Sequence, residues 1–254
     1  MKLQKLLSLT RQAIEDYGMI SEGDKIAVGI SGGKDSLTLL YALSHLRSFY
    51  PRSFDLVAVT VDLGFPGADF EEIRAFCQGL KVPYHVISTQ IAPIIFDVRK
   101  DRNPCSLCAK MRKGAMNDFV RELGCNKVAF AHHKDDLIES MMMSFIYEGK
   151  LRTFSPVTDW ERSGLVLIRP LIYLYEGEIK GFVREMDIKI LKNPCPVDGS
   201  TRRAYVKDIV RQINYDNPGA KTRMNHAILD GLVDPFCPRK QKKEALDETS
   251  GGEH

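Results

Sequence analysis

Apolar and polar residues follow two different periodicities along this chain. Residues 3–17 place Leu3, Leu6, Leu7, Ala13 and Ile14 on roughly one face, which predicts an amphipathic helix. Short apolar runs rich in β-branched residues follow, and such runs are typical of strands buried on both faces of a sheet. They predict strands over 24–30, 54–62, 84–88, 127–131 and 165–171.

Helical patterns separate these strands. The sequence predicts helices over 36–49, 69–80, 109–123, 134–148 and 176–186, and two closing helices over 203–213 and 220–232. Strands that alternate with helices indicate an α/β fold, a doubly wound parallel sheet with added N- and C-terminal helices. The predicted layout is an N-terminal helix (1–20), an α/β domain that carries the chemistry (21–200), C-terminal helices (201–237) and a disordered tail (238–254).

Composition and charge narrow the functional classes. The 254 residues are 44% hydrophobic and 27% charged, with a formal net charge of +3. No apolar run is long enough to span a bilayer, and the N-terminus lacks a signal-peptide pattern, so we expect a cytoplasmic protein with no membrane contact. Clusters of Lys and Arg are candidates for RNA contact or for solvated faces: 99–102, 110–113, 202–203 and 239–243.

The stretch ISGGKDS lies between the first predicted strand and the next helix. Backbone N–H groups and the helix dipole at such a position favour an anion. Its side chains add hydroxyl donors, a cation and a carboxylate that can hold Mg²⁺ or cap the helix; the residues are Ser31, Gly32, Gly33, Lys34, Asp35 and Ser36. The loop lacks the P-loop spacing, because Val28 stands where a glycine is needed and Asp35 follows the lysine.

Two further groups of polar residues follow predicted strands. Asp62 ends the second strand, and AHHKDD, with His132, His133, Asp135 and Asp136, follows the fourth. In a doubly wound sheet the carboxyl ends of the strands face one crevice, so these side chains are expected near the glycine-rich loop. For His133 and Asp135, helix capping is the simpler interpretation.

Six cysteines lie in a chain with no secretion pattern, which favours metal or redox use of clustered thiols over disulfides. Cys105 and Cys108 form a Cys-x-x-Cys pair, which fits a redox pair, half a zinc site or part of an iron–sulfur site. No second pair is present, which disfavours a closed zinc site. Cys195 lies in NPCPVDG, which repeats the NPC of 103–105. Three such thiolates would hold a [4Fe–4S] cluster by three corners and leave one iron open.

The loop SGGKDS resembles the PP-loop of the ATP pyrophosphatases. The resemblance implies that ATP is split between its α and β phosphates, that the loop holds pyrophosphate and that AMP passes to an oxygen of the substrate. It implies an ATP site made of Ser31, Gly32, Gly33, Lys34, Asp35, Ser36, Asp62 and His132, with Lys34, Asp35 and Asp136 as catalytic residues.

With the cysteines included, the chain resembles the tRNA 2-thiocytidine synthetases (TtcA) and, more distantly, the tRNA 2-thiouridine synthetases. The motifs are SGGKDS, PCSLCAKMRKG, AHHKDD, IRPLIYLYEGEI and NPCPVDGS. The resemblance implies Cys105, Cys108 and Cys195 as cluster ligands, with the transferred sulfur on the open iron. One departure is Asp198, which stands where the family often has a second loop cysteine; it is a candidate for contact with the fourth iron or a bound sulfide.

The implied reaction activates the C2 oxygen of a pyrimidine in tRNA and replaces it with sulfur. Cytidine is the pyrimidine that the resemblance favours. The implied partners are tRNA, sulfide or a cysteine desulfurase-derived donor, and a second copy in a homodimer. Candidate RNA contacts are Arg112, Lys113, Arg169, Arg202 and Arg203. Two alternatives remain open: the same chemistry on a small molecule, and an amide-forming PP-loop ligase with structural zinc, as in the tRNA lysidine synthetases. Cys237 is a minor candidate for sulfur relay.

Overall fold

The computed structural model describes residues 1–99, 104–160, 163–191, 194–196, 201–231 and 233. The hypotheses on Asp198, on Cys237 and on the tail over 238–254 concern residues outside this described part.

Six strands of the described residues form one sheet in the order β3-β2-β1-β4-β6-β5. They are β1 (Asp24–Gly29), β2 (Phe54–Asp62), β3 (Tyr84–Ser88), β4 (Lys127–Ala129), β5 (Val157–Trp160) and β6 (Leu165–Ile168). Five strands run parallel, and β5 pairs antiparallel with β6 at the edge. The expected doubly wound sheet is therefore confirmed, with one unpredicted antiparallel edge strand.

Except for α4 and the π-helical segment after it, which the sequence pattern did not predict, the helices lie where predicted, with small shifts at their ends. They are α1 (Leu3–Asp16), α2 (Lys34–Leu46), α3 (Glu71–Gly79), α4 (Ile91–Pro93), α5 (Pro104–Glu122), α6 (Lys134–Glu148), α7 (Glu176–Glu185), α8 (Arg202–Asp216) and α9 (Ala220–Leu229). A π-helical segment (Ile94–Arg99) continues α4. The largest shift is in α5, which already includes Pro104, so Cys105 and Cys108 are helical residues at one end of α5.

The core lies on both faces of the sheet. Successive residues of β1 belong to different clusters, Ile26 and Val28 to one and Ala27 to the other, because side chains of a strand alternate between faces. The larger cluster joins the sheet to α1–α3 and α6–α9, and the smaller one packs α5 against the opposite face. The N- and C-terminal helices thus share one core with the sheet; the domain boundaries at 20, 200 and 237 stay predictions.

The strand order reverses between β1 and β4, since β2 and β3 extend the sheet to one side and β6 and β5 to the other. Ligands of open α/β sheets bind outside the carboxyl ends of the strands at this reversal. The glycine-rich loop follows β1 and the AHHKDD segment follows β4, so both meet there. Among the described helices, none has the length and apolar content that a membrane span requires.

Candidate active site

The glycine-rich loop is held by its own hydrogen bonds. The Ser31 N–H donates to Ser36 Oγ at 3.2 Å, and Ser36 Oγ donates to the Gly33 carbonyl at 3.0 Å. Gly32 has a φ of +76°, and a Cβ there would lie 2.9 Å from the Cβ of Leu191, so both conformation and space require glycine. The loop ends at the start of α2, where free backbone N–H groups suit a phosphate.

Lys34 is held between two carboxylates. Its Nζ lies 2.8 Å from Asp35 Oδ2 and 3.1 Å from Glu176 Oε1. Burial alone would lower the pKa of Lys34, but the ion pairs with Asp35 and Glu176 outweigh it and raise the pKa. Lys34 is therefore a cation at neutral pH, and phosphate oxygens would compete with these carboxylates for it.

Glu176 is the centre of a larger charge network. Besides Lys34, its carboxylate contacts Lys207 of α8 at 2.9 Å and Lys180 at 3.2 Å. Burial would raise the pKa of Glu176, yet its hydrogen bonds to Lys207 and Lys34 hold the pKa well below the ordinary range. The Glu176 N–H also donates to Asp135 Oδ2 at 2.7 Å, and Asp135 forms an ion pair with Lys221 of α9. Asp135 thus links α6 to α7 and α9.

The other residues of AHHKDD surround the start of α6. His133 is the N-cap residue, and its N–H donates to Asp136 Oδ2 at 3.0 Å. Asp136 Oδ1 accepts a hydrogen bond from Arg203 of α8 at 3.1 Å. His133 Nε2 lies 3.6 Å from Asp35 Oδ1, which connects this segment to the loop. Asp136 thus contacts the His133 backbone and Arg203, and its role as a catalytic residue stays a prediction.

Three cavities open at the carboxyl ends of the strands. The Asp62 cavity, of about 410 Å³, lies between the glycine-rich loop and the end of β2, with Ser31, Thr60 and Asp62 in its wall. The cysteine cavity has about 200 Å³, and the Trp160 cavity has about 510 Å³ and lies at the ends of β1, β4 and β6. Arg112 of α5 lines all three, so they meet at one side chain.

Cys105, Cys108 and Cys195 all line the cysteine cavity, although Cys195 is distant in sequence. Burial raises the pKa of the Cys108 thiol, and the neighbouring Cys195 and Cys105 act in the same direction against Arg112. Without a bound metal we therefore expect Cys108 to be a neutral thiol. Within the part of the chain that the structure describes, no three His, Cys, Asp or Glu side chains are already at metal-binding distance.

The candidate RNA contacts lie in three different settings. Arg112 and Lys113 are exposed residues of α5. Arg202 lies over the ring of Tyr147 at 4.9 Å, and its neighbour Arg203 pairs with Asp136. Arg169, by contrast, is only 7% exposed and lines the Trp160 cavity. The structure thus gives Arg169 no outer surface from which to meet RNA, so any RNA contact would have to form inside the cavity.

Comparisons with known proteins agree with this arrangement. A sequence model described as a PP-loop domain matches residues 3–213. A tRNA-cytidine(32) 2-sulfurtransferase of Anaeromyxobacter dehalogenans (strain 2CP-C) is 36% identical over 250 residues, covering 97% of this chain and 86% of the relative. One of Geobacter sulfurreducens is 34% identical over 237 residues, covering 92% and 91%. The chain belongs to the PP-loop family of tRNA-cytidine 2-sulfurtransferases.

Two solved structures are similar to this chain in fold. The U34-tRNA thiolase NcsA from Methanococcus maripaludis, solved with its [4Fe–4S] cluster, aligns with a TM-score of 0.72 at 25% identity, covering 87% of this chain and 76% of that one. An NH₃-dependent NAD synthetase from Campylobacter jejuni shares the fold, with a TM-score of 0.50 at 15% identity, covering 95% of this chain and all of the other.

Three residues of the site escaped the sequence analysis as individual side chains. Glu176 and Lys207 form the network around Lys34, and Trp160 lines the largest of the three cavities. Glu176 had a local signal, since it is an acidic residue that directly follows the apolar run of IRPLIYLY. Trp160 had a weaker one, as the single tryptophan of the chain.

Proposed function

We propose that this chain is an ATP- and iron–sulfur-dependent sulfurtransferase that adenylates the C2 oxygen of a cytidine in tRNA and replaces it with sulfur. The observation that carries the proposal is the convergence of three thiols and the glycine-rich loop. Cys105, Cys108 and Cys195 line one apolar cavity, and Arg112 connects its wall to the two cavities beside Ser31. An oxygen activated at the loop would therefore lie next to the place where sulfur is held.

The first half of the reaction uses the glycine-rich loop. The C2 oxygen attacks the α-phosphorus of ATP, and the bond from that phosphorus to the bridging oxygen of pyrophosphate breaks. The backbone N–H groups at the start of α2 and Lys34 would stabilise the charge that develops on pyrophosphate. The adenosine would lie in the Asp62 cavity, and the family resemblance adds His132 as a nucleotide contact. Asp35, close to Lys34 and His133, would hold Mg²⁺.

The second half replaces the activated oxygen. A sulfur nucleophile attacks C2, the C2–oxygen bond breaks, and AMP leaves with the oxygen. AMP is a much better leaving group than the original carbonyl oxygen, which is why ATP is needed. Asp136 would act indirectly in this step: it would orient His133, which in turn would orient Asp35.

The donor set of the cysteine cavity fits an iron–sulfur cluster. Soft thiolates select iron–sulfur clusters over hard cations, and the surrounding wall is apolar, with Leu63, Phe65 and Phe96. Cys105, Cys108 and Cys195 would hold a [4Fe–4S] cluster by three corners. When bound, such a cluster would supply the sulfur to be transferred at its open iron. The thiols must lose their protons for this, which the raised pKa of Cys108 makes pH-dependent.

The remaining parts of the proposal rest on the family resemblance. The sulfur would come as sulfide or from a cysteine desulfurase-derived donor, the chain would work as a homodimer, and a tRNA substrate implies a cytoplasmic location. Arg112, Lys113, Arg202 and Arg203 would contact RNA phosphates, which position the RNA without reading its sequence.

Anaerobic purification followed by iron, sulfide and zinc analysis tests the cofactor. The proposal predicts a brown protein with about four irons per chain, the content of one [4Fe–4S] cluster. Cys195→Ala should lose the cluster, whereas Cys77→Ala, at a buried cysteine outside the three cavities, should keep it. A colourless zinc protein would instead support an amide-forming ligase.

Incubation with ATP, sulfide and unmodified tRNA tests the reaction. We expect 2-thiocytidine by nucleoside mass spectrometry, together with AMP and pyrophosphate. A protein that carries the cluster but leaves tRNA unthiolated would refute the tRNA substrate and favour a small molecule.

A further inference from the structure

The Trp160 cavity contains neither the three thiols of the cysteine cavity nor Asp62 of the cavity proposed for the adenosine, although it includes His132, the predicted nucleotide contact. Its wall includes Asp35 and Ser36 of the glycine-rich loop and His132, which follows β4. The Trp160 and Asp62 cavities share only the strand ends, Ser31 and Arg112. Its volume of about 510 Å³ falls within the range of about 300–1,000 Å³ typical of small-ligand sites.

A buried cation with unused hydrogen-bonding capacity lies in its wall. Arg169 is 7% exposed, and its Nη1 donates to the Ser155 carbonyl at 2.5 Å and to Thr158 Oγ1 at 3.0 Å. Its Nε has no hydrogen-bond partner among the described residues. Buried polar groups are normally hydrogen-bonded, and a buried guanidinium that lines a cavity suits an anionic or carbonyl ligand.

The rest of the wall suits a nucleotide. Phe130 and Trp160 give it aromatic surface, with ring centroids 6.2 Å apart. Lys113 adds a second cation at the exposed side, with its Nζ 5.3 Å from the Trp160 ring centroid. His132 also lines the cavity, and its buried Nδ1 lacks a hydrogen-bond partner in the described part of the chain. Aromatic rings that stack on a base, together with Arg and Lys for its phosphate, are the usual recognition of an unpaired nucleotide.

We propose that the Trp160 cavity receives the target pyrimidine nucleotide of the RNA, with the base against Phe130 and Trp160 and the phosphate on Arg169 and Lys113. The inference rests on the proposed function and specifies where its substrate binds. It places the C2 oxygen beside Ser31 and Asp35, and it puts Arg112 between the base and the cysteine cavity. A base that enters this cavity would have to leave its stack in the RNA.

The chain reports on this site without any label, because Trp160 is its single tryptophan. Fluorescence excited at the red edge of the indole band follows Trp160 in the cluster-loaded protein. The probes are ATP with Mg²⁺, cytidine 5′-monophosphate, an anticodon stem-loop RNA with an unpaired cytidine, and the same RNA with an abasic site at that cytidine. The stem-loop should change the Trp160 signal saturably, and the abasic RNA should bind without that change.

Two variants and a matched control test the cations. Arg169→Lys keeps the charge but loses the planar fork, and we expect it to weaken stem-loop binding about tenfold with little change in the ATP dissociation constant. Lys113→Gln should weaken it about fivefold and covers the case in which Arg169→Lys does not fold. Lys110→Gln removes an exposed lysine of the same helix that lines none of the three cavities, and should change binding less than about twofold.

Other outcomes overturn the inference. If ATP alone gives the saturable change and RNA adds nothing, the cavity belongs to the ATP site. If abasic RNA gives the full signal, the cavity takes no base; if only cytidine 5′-monophosphate responds, it takes a free nucleotide. If Arg169→Lys and Lys113→Gln still thiolate RNA with an unchanged KM, the target nucleotide does not bind in this cavity. The proposed function is then unaffected. A base-dependent Trp160 signal without any thiolation would support base binding in this cavity but refute the proposed function.

Discussion

The two ends of β1 contain very different polar networks. At the amino end, Asp24 is 4% exposed and every contact is met: Oδ2 lies 2.7 Å from Lys127 Nζ and accepts the Ser21 N–H, and Oδ1 accepts from Asn126. Lys127 of the neighbouring strand β4 also donates to the Met19 carbonyl at 2.9 Å. This network joins β1 to β4, and each charged group in it has at least two partners.

At the carboxyl end of the same two strands, partners are missing. Asp35 Oδ1, His132 Nδ1, His133 Nδ1 and Arg169 Nε are buried atoms with no hydrogen-bond partner among the described residues. Burial lowers the pKa of His132 to about 4, so its ring is neutral near pH 7, and burial lowers the pKa of Arg169 to about 10, which leaves it charged. The polar groups at the amino end of these strands thus have hydrogen-bond partners, whereas several at the carboxyl end lack them. A bound substrate would supply the missing partners.

The largest effect on stability is expected at the amino end of β1, where the polar groups are paired. Asp24→Ala leaves the Lys127 ammonium buried without its carboxylate, which should lower the free energy of unfolding by about 4 kcal/mol. Chemical denaturation at neutral pH measures it. Replacing Lys127 with Met in the same variant should recover most of the loss, because no charge is then buried alone. A loss below about 1 kcal/mol would show that this edge contributes no more than a surface pair.

Lys34→Met should instead lower activity strongly and change the free energy of unfolding little. We expect pyrophosphate release with tRNA to fall about 100-fold, about 3 kcal/mol in the activation free energy, because one donor to the developing charge is lost. The free energy of unfolding should change by less than about 1 kcal/mol, since Glu176 keeps Lys207 as a partner. Lys180→Met is the matched control: Lys180 contacts the same Glu176 but is exposed on α7. Equal losses in both variants would contradict a specific role of Lys34.

The same contrast explains what the sequence could predict. Strands 54–62 and 84–88 and helix 134–148 agree with the structure at both ends, because burial periodicity is a local property. The edge strand β5 was missed because its four residues, VTDW, expose two polar side chains and gain strand structure only by pairing with β6. The predicted helix 109–123 begins five residues after the observed start of α5 at Pro104.

For the site, contiguous motifs were predictable and long-range partners were not. The loop from Ser31 to Ser36 is held by its own atoms, so its sequence alone indicates an anion site. The ion pair of Lys34 with Glu176 joins residues far apart in sequence, and periodicity does not specify which helix ends meet. The burial of Arg169 likewise depends on β5, the one strand that the sequence analysis missed.

Glu139, whose carboxylate lies 3.6 Å from Arg203 Nη1, tests whether a buried charge near the carboxyl edge lowers stability. Burial, followed by the nearby Asp136, raises the pKa of Glu139 from its ordinary value of 4.5 to about 7. The folded protein therefore binds this proton more tightly than the unfolded chain does, and stability is lost as the pH rises from about 4.5 towards 7. Glu139→Gln should be more stable than the parent by about 1–2 kcal/mol at pH 8, with the difference vanishing near pH 5. Denaturant titrations across this range measure it, and a pH-independent difference would contradict the assignment.

The smallest expected effect on stability concerns Thr201, which both caps a helix and lines a cavity. Its Oγ1 accepts the Ala204 N–H at 3.2 Å as the N-cap of α8, and its side chain also lines the cysteine cavity. Loss of the cap in Thr201→Ala should cost about 1 kcal/mol. That cost should lower the melting temperature by about 2–4 °C, and Thr201→Ser should restore it. If Thr201→Ala instead keeps its stability but loses cluster-dependent thiolation, the hydroxyl serves the cavity rather than the helix, and the start of α8 belongs to the functional edge of the sheet.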